Sequence, residues 1–399
     1  MTPTPLGGVG DYPPPSSGDW IINNPTNIWN ETITVNGSIL VQSGGNLTLQ
    51  NVTLRMNSTS DGECNITVYN GGFLNIIENS SVTAVNVSNA WYLNASAGST
   101  LRLVNSTFSY AGWDWGSAGS FSGLWINTPN TEVFNCSISN NYIGLYFFEA
   151  DDGLIANNTI VNSVTNGISL NASAGTRVSD NKVTESGFYG IGLILSNDSI
   201  INNNTLVKSG NLGISLENST NCRITDNTLL NSSGNGAIQL NNSASNFIIN
   251  NVITYCAEQG ISLRFSSSNC IVRGNVIMYG LVGISITYSS VNSTVANNTI
   301  DTFTAGIVLG YFANRTLVSS NIIRTSLYYG IFLNARLAIQ NVGSHPLSRP
   351  TILHPNGGED LQGIVTVSLM QDLLFKMWDH IRSHAPRFCT PMAERISKV

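Results

Sequence analysis

Residues 190–216 read GIGLILSNDSIINNNTLVKSGNLGISL, and the same phrase recurs along the chain. Gly190-Ile191-Gly192-Leu193 opens it, Asn204-Thr205-Leu206 closes it, and Gly213-Ile214-Ser215-Leu216 begins the next copy. The leading position is held by Gly144, Gly167, Gly190, Gly213, Ala237, Gly260, Gly283, Gly306 and Gly330, in steps of 23 or 24 residues. A period of this size marks a solenoid, in which each repeat buries its apolar face only against its neighbours. Ile, Leu or Phe stand one and three residues past each glycine, with small or polar residues such as Ser169, Gly192, Ser215 and Ser262 between. Apolar residues two apart make a strand with one buried face, and no 3.6-residue period competes with that reading.

A second column lies 14 or 15 residues past the glycine: Asn158, Asn181, Asn204, Asn227, Asn251, Asn275, Asn298 and Asn321, with Cys136 in the same place one rung earlier. Asparagines stacked about 4.8 Å apart can pass amide hydrogen bonds along the axis, so the column predicts a ladder. The residue before each is Asn, Asp, Gly or Ser, types suited to a tight bend at positive φ. The expected fold is therefore all-β: a single-stranded parallel β-helix of roughly 12–14 rungs, about 60 Å long.

Four segments follow. Residues 1–18 read as a Pro/Gly-rich linker, 19–140 as irregular N-terminal rungs, 141–333 as regular rungs, and 334–399 as a non-repeat tail. In that tail Pro350–Ile352, His354–Glu359 and Ile364–Val367 resemble the opening strands of an immunoglobulin-like module, and Asp372–Ile381 reads as a short amphipathic helix.

Charged residues make up only 10% of the chain and the net charge is −6, with no basic stripe, which argues against nucleic acid as a partner. No apolar run is long enough to span a membrane. Asn-x-Ser/Thr sequons are dense, among them Asn30, Asn36, Asn46, Asn51, Asn57, Asn65, Asn79, Asn86, Asn94 and Asn105. Low charge with many sequons points to an extracellular or cell-surface protein that can carry N-linked glycans, although residues 1–18 lack the basic and apolar regions of a signal peptide. Cys222 and Cys270 fall in one column with Phe247 read between them, too far apart for a disulfide, so the cysteines read as small buried hydrophobes.

The Gly-Ile-x-Leu…Asn-x-x-Ile rung resembles the right-handed β-helix of the pectin-lyase-like superfamily. Its closest flavour is that of NosD-like and archaeal cell-surface β-helix proteins, and the stretch Trp29–Ile39 through Leu47–Leu54 is similar to their opening rung. The resemblance covers about residues 28–333 and implies a fold rather than one activity, since the superfamily holds lyases, glycosidases, epimerases and adhesins. The motif sets of the polygalacturonase-like and alginate-epimerase-like members are missing here, and all four histidines (His345, His354, His380, His384) fall in the tail.

What chemistry remains is sparse. Asp180 and Asp226, two rungs apart, would be separated by about 9.6 Å, near the upper range for an inverting glycosidase. Arg177 and Arg223 sit three residues before them, placed to form surface ion pairs with their aspartates. Glu149, Asp151 and Asp152 could hold Ca²⁺. Glu217 and Arg264, with Asn241 between, read as a surface pair, and copper finds no His or Met cluster in the rungs. Phe265, Tyr288 and Tyr311 stack in one column and offer a surface on which sugar rings could bind. The expectation is a non-catalytic extracellular scaffold, glycan-binding or adhesive, with no required cofactor. The alternative is a polysaccharide lyase or glycoside hydrolase.

Overall fold

The computed structural model describes residues 7–114, 123–302, 304–324, 329–333, 338–339 and 352–353. The described chain is all-β, wound into a parallel solenoid whose strands form three sheets of 15, 13 and 15 members. One regular turn shows the path. Tyr189–Ile194 lies in the glycine sheet, Ile200–Asn202 in a second sheet and Thr205–Val207 in a third, before Leu212–Glu217 re-enters the glycine sheet. Ile191 then pairs with Ile214, Ile201 with Ile224 and Leu206 with Leu229, so each column of the sequence becomes a vertical stack.

These stacks form one continuous core. Ile191, Leu193, Ile201 and Leu206 are all buried, and each such side chain contributes about 1.5–3 kcal/mol on leaving water. The glycine column exists for space. A Cβ on Gly190 would lie 2.5 Å from Leu206 Cδ2, and one on Gly213 would lie 2.4 Å from Leu229 Cδ2. The third sheet thus packs its apolar side chains directly onto glycine backbone.

The asparagine column is continuous. Each Nδ2 donates to the Oδ1 of the next asparagine, from Asn158 to Asn181 at 2.9 Å through Asn298 to Asn321 at 2.9 Å. Each also donates to a carbonyl of the preceding rung, as Asn181 does to Ile155, while its backbone N–H reaches the same Oδ1 ahead. Every amide valence is used and all the amide dipoles point one way, an arrangement that polarises cooperatively. Cys136 ends the ladder: its N–H donates to Asn158 Oδ1 and its Sγ to the Leu103 carbonyl. The residues just before the ladder occupy the left-handed region throughout, with Asn157, Asp180, Asn203, Asp226, Asn250 and Gly274 at φ of 54–68°.

A serine ladder at the corner between the glycine and second sheets has no counterpart in the sequence reading. Backbone N–H groups of Ala150, Ser173, Ser196, Ser219, Ser243 and Ser267 donate to the Oγ of the serine one rung on, ending at Ser290.

The N-terminal segment departs from the linker expected of it. Gly7–Val9 pairs antiparallel with Pro25–Trp29 and closes the open edge of the second sheet. Asp11 locks it by accepting from Asn24 Nδ2 and from the N–H groups of Asn23 and Asn24, which together hold its carboxyl below the usual range. At the other end the coil continues past Leu333. Ala338–Ile339 pairs with Leu317–Val318, and Ile352–Leu353 with Ile331–Phe332. The helix expected at 372–381 and the remaining immunoglobulin-like strands lie outside the described residues, as do the four histidines.

Candidate functional site

The outward row of the glycine sheet runs Tyr146, Ser169, Gly192, Ser215, Gln239, Ser262, Ser285, each paired with the next. Alternation forces this: the Ile and Leu to either side point inward, so every second residue faces out. Small side chains make the row a shallow floor. Trp125, Tyr146 and Phe148 wall its N-terminal end, with Trp125 edge-on to Tyr146 at 4.6 Å and 5.1 Å from Phe148. Asn171 Nδ2 donates to the Tyr146 hydroxyl at 3.1 Å, and burial pushes that phenol's pKa up. Burial also raises Tyr189, which a hydrogen bond with Ser215 opposes and the charge of Glu217 reinforces.

Three oxygens around this row are buried without a hydrogen-bond partner: Asn241 Oδ1, Gln259 Oε1 and Ser262 Oγ. They belong to two adjacent rungs, since Asn241 pairs with Arg264 on the strand that also carries Gln259 and Ser262. Glu217 and Arg264 do not form the expected pair. Arg264 instead donates to Gln239 Oε1 at 3.4 Å and lies 5.2 Å from the centre of the Phe265 ring and 5.6 Å from that of Tyr288. Gln239 and Tyr288 lie on the rungs adjoining Arg264, whereas Glu217 is two rungs away, and an exposed ion pair across that distance gains little.

Asp180 and Asp226 lie exposed on the bend between the second and third sheets, both at positive φ. Asn203 occupies the rung between them and donates its Nδ2 to Asp180 Oδ1 at 2.6 Å. Arg177 and Arg223 do not pair with these aspartates. Arg177 donates to Ser179 and Asn202, and Arg223 stacks over the Phe247 ring at 4.7 Å. Among the described residues the ion pairs are Arg102–Glu132 and Lys208–Glu185. The arginines lie on the flat second sheet, where the nearest partners are the neighbouring strands rather than the corner.

The acidic trio is likewise built into a corner. Asp151 Oδ1 accepts the Ala174 N–H at 2.7 Å, and Glu149 and Asp152 sit at positive φ. Among the described residues no group of three or more His, Cys, Asp or Glu is assembled for a metal.

Phe265, Tyr288 and Tyr311 form a face-to-face stack, with centroids 4.8 and 4.9 Å apart and planes within 18° and 2°. All three are exposed and at positive φ. Within the stack both faces of Tyr288 and one face each of Phe265 and Tyr311 are taken by neighbouring rings. Two aromatic contacts at about 0.5–1.5 kcal/mol each offset part of the roughly 1–2 kcal/mol that each left-handed residue costs. A matching pair at another corner, Tyr255 and Tyr279, stacks at 4.7 Å.

The cysteine column corrects one detail: Asn246, not Phe247, lies between Cys222 and Cys270, because Phe247 pairs with Arg223 and Ile271. Cys64, Cys136, Cys222, Cys256 and Cys270 are all free and buried.

Among solved structures, a double mutant of the periplasmic alginate epimerase AlgG superposes with a TM-score of 0.55 at 16% identity, covering 79% of this chain and 85% of the other. The catalytic unit of a thermostable GH87 alpha-1,3-glucanase from Streptomyces thermodiastaticus gives 0.51 at 15% identity, over 83% of this chain and 62% of its own. The Agl-KA catalytic domain gives 0.52 at 15%, over 76% of this chain and 62% of that domain. Identities this low speak for the fold alone. No curated protein matches the chain in sequence. Residues 37–206 and 192–342 both match the family described as the right handed beta helix region, and with three parallel sheets wound around one core the chain belongs to that family.

Proposed function

We propose that this protein is an extracellular β-helix that holds a polysaccharide along the outer face of its glycine sheet without cleaving it. The observation that carries this reading is the outward row of small and polar residues, Ser169, Gly192, Ser215, Gln239, Ser262 and Ser285, which ends at an aromatic wall. The Trp125, Tyr146 and Phe148 wall supplies aromatic surface at one end of the row. Structural neighbours named as an alginate epimerase and an alpha-1,3-glucanase make saccharides a natural ligand class for this architecture. The likeness of the opening rungs to NosD-like and archaeal cell-surface proteins, together with the sequons, supports a position outside the cell. No helix among the described residues is long and apolar enough to cross a membrane.

The non-catalytic part of the reading rests on Asp180 and Asp226. Asn203 fills the rung between them, so the gap a glycosidic bond and a water would need is occupied. Among the described residues no group of three or more His, Cys, Asp or Glu is assembled that would hold calcium. The alternative, a polysaccharide lyase or glycoside hydrolase, draws support from Glu217, a carboxylate on the glycine sheet beside the raised Tyr189 phenol.

Affinity electrophoresis through gels containing neutral or acidic polysaccharides tests both readings. Retardation by at least one polysaccharide is expected, weakened about tenfold by Asn241→Ala with Gln259→Ala, with no new reducing ends or unsaturated products. Migration unaffected by every polysaccharide would sink the ligand reading. Product formation that Glu217→Gln abolishes would replace it with the enzyme.

A further inference from the structure

Once folded, the sequons of this chain occupy all three corners, and the largest group shares one of them. Asn30, Asn51, Asn79, Asn105, Asn135, Asn157, Asn203 and Asn297 each begin an Asn-x-Ser/Thr triplet, and all eight fall on one corner, the bend between the second and third sheets. All eight have positive φ, and every one but the half-buried Asn30 is exposed. The first six sit on consecutive rungs, about 4.8 Å apart.

The backbone explains the asparagines, since a left-handed bend favours that residue. It does not explain the hydroxyl two positions later. At the corner between the glycine and second sheets, sequon hydroxyls serve the fold, since those of Asn171-Ala172-Ser173 and Asn241-Asn242-Ser243 are buried in the serine ladder. Along the other corner the hydroxyls of Thr32, Thr53, Ser81, Thr107, Ser137, Thr159, Thr205 and Thr299 open the third-sheet strands facing outward, and make no side-chain hydrogen bond among the described residues. Valine serves equally well in that column at Val252 and Val276, where the triplet is absent.

We infer that this corner is a rail of asparagine-linked saccharides. The inference rests on the extracellular reading above. Each Asn Nδ2 forms a C–N bond to the anomeric carbon of a saccharide donor activated as a phosphate or pyrophosphate. The C–O bond to that phosphate breaks, the phosphate leaves with the bonding pair, and one amide proton is lost to solvent. One N–H remains, enough to keep the bonds that Asn51 Nδ2 makes to Asn30 Oδ1 and Asn135 Nδ2 makes to Asn105 Oδ1, both 2.8 Å. The rail occupies the one corner that does not border the glycine sheet, so it hydrates a surface poor in charge and leaves the proposed ligand face clear.

The test is glycopeptide mass spectrometry on full-length protein from its own cells, with extracellular and intracellular fractions separated. Saccharide adducts are expected on rail peptides, those of Asn51, Asn105 and Asn157 among them. Thr159→Val, which copies Val252 and Val276 in the same column, removes the adduct at Asn157 alone and leaves the fold intact by circular dichroism. Extracellular protein whose eight rail asparagines are bare overturns the rail and leaves the extracellular reading standing. Bare protein confined to the cell interior overturns both. Adducts on Asn171 and Asn241 with none on the rail overturn its placement.

Discussion

Asn203 stands between Asp180 and Asp226 on one corner of the coil, and its Nδ2 donates to Asp180 Oδ1 at 2.6 Å. The two carboxylates that best matched a catalytic pair by spacing are thereby members of a column of bend residues. Each holds a left-handed backbone conformation that Asn also provides, as at Asn157 and Asn250.

Asp180→Asn and Asp226→Asn should therefore be tolerated. Exposed replacements at a compatible backbone position fall within about 0.5 kcal/mol, so thermal melts of both single variants and the double variant should overlay the wild type. Polysaccharide retardation should also persist. A double variant that binds as before but loses a measurable cleavage activity would restore the pair to candidacy.

The asparagine ladder predicts the opposite behaviour for a residue of the same type a few positions away. Asn227 Oδ1 accepts from Asn204 N–H and Nδ2, and its own Nδ2 donates to the Ile201 carbonyl and to Asn251. Asn227→Ala leaves those buried groups without partners, at about 1 kcal/mol or more each, so a loss of roughly 3 kcal/mol is expected in urea unfolding. Asn203→Ala, one rung earlier and exposed, should cost well under half of that.

The period of the coil was legible because burial repeats on every rung, but the reason for its glycines was not. Nothing in the phrase Gly-Ile-x-Leu says that a third-sheet side chain presses on the glycine backbone. The serine ladder stayed hidden for a different reason. An added left-handed residue at Ser266 and Ser289 moves the serine from six to seven residues past the glycine, so the column breaks in sequence while remaining continuous in space. The partner of Arg264 was beyond reach as well, since a long side chain can choose among a carboxylate, an amide and two rings, and only packing decides.

Gly190 supplies a paired test of the space argument. A methyl there would sit 2.5 Å from Leu206 Cδ2 and 2.7 Å from the Gly213 carbonyl oxygen. Gly190→Ala should destabilise by about 1–3 kcal/mol through overpacking. Leu206→Ala alone should cost about 2–5 kcal/mol through the cavity it leaves. Together they should cost measurably less than their sum, because the new methyl enters the vacated space. Strict additivity in chemical denaturation would place the role of the glycine in the backbone instead.

The buried thiols set an alkaline limit. Burial pushes Cys222 up to about 12 and Cys136, Cys256 and Cys270 up to about 11, against an ordinary value near 9. Folding favours the neutral thiol, so these groups contribute fully below pH 9. Above it the unfolded chain ionises first, and the contribution is lost as pH rises toward 11–12. Melting temperature should thus fall from pH 9 to pH 11 more steeply than in a variant with Cys136, Cys256 and Cys270 replaced by Val or Ala. An aromatic disulfide reagent at pH 8 should leave all five described cysteines unlabelled until denaturant is added. Rapid labelling of Cys136 in the folded protein would mean that its Sγ is not held against the Leu103 carbonyl, and that the ladder's first step is open to solvent.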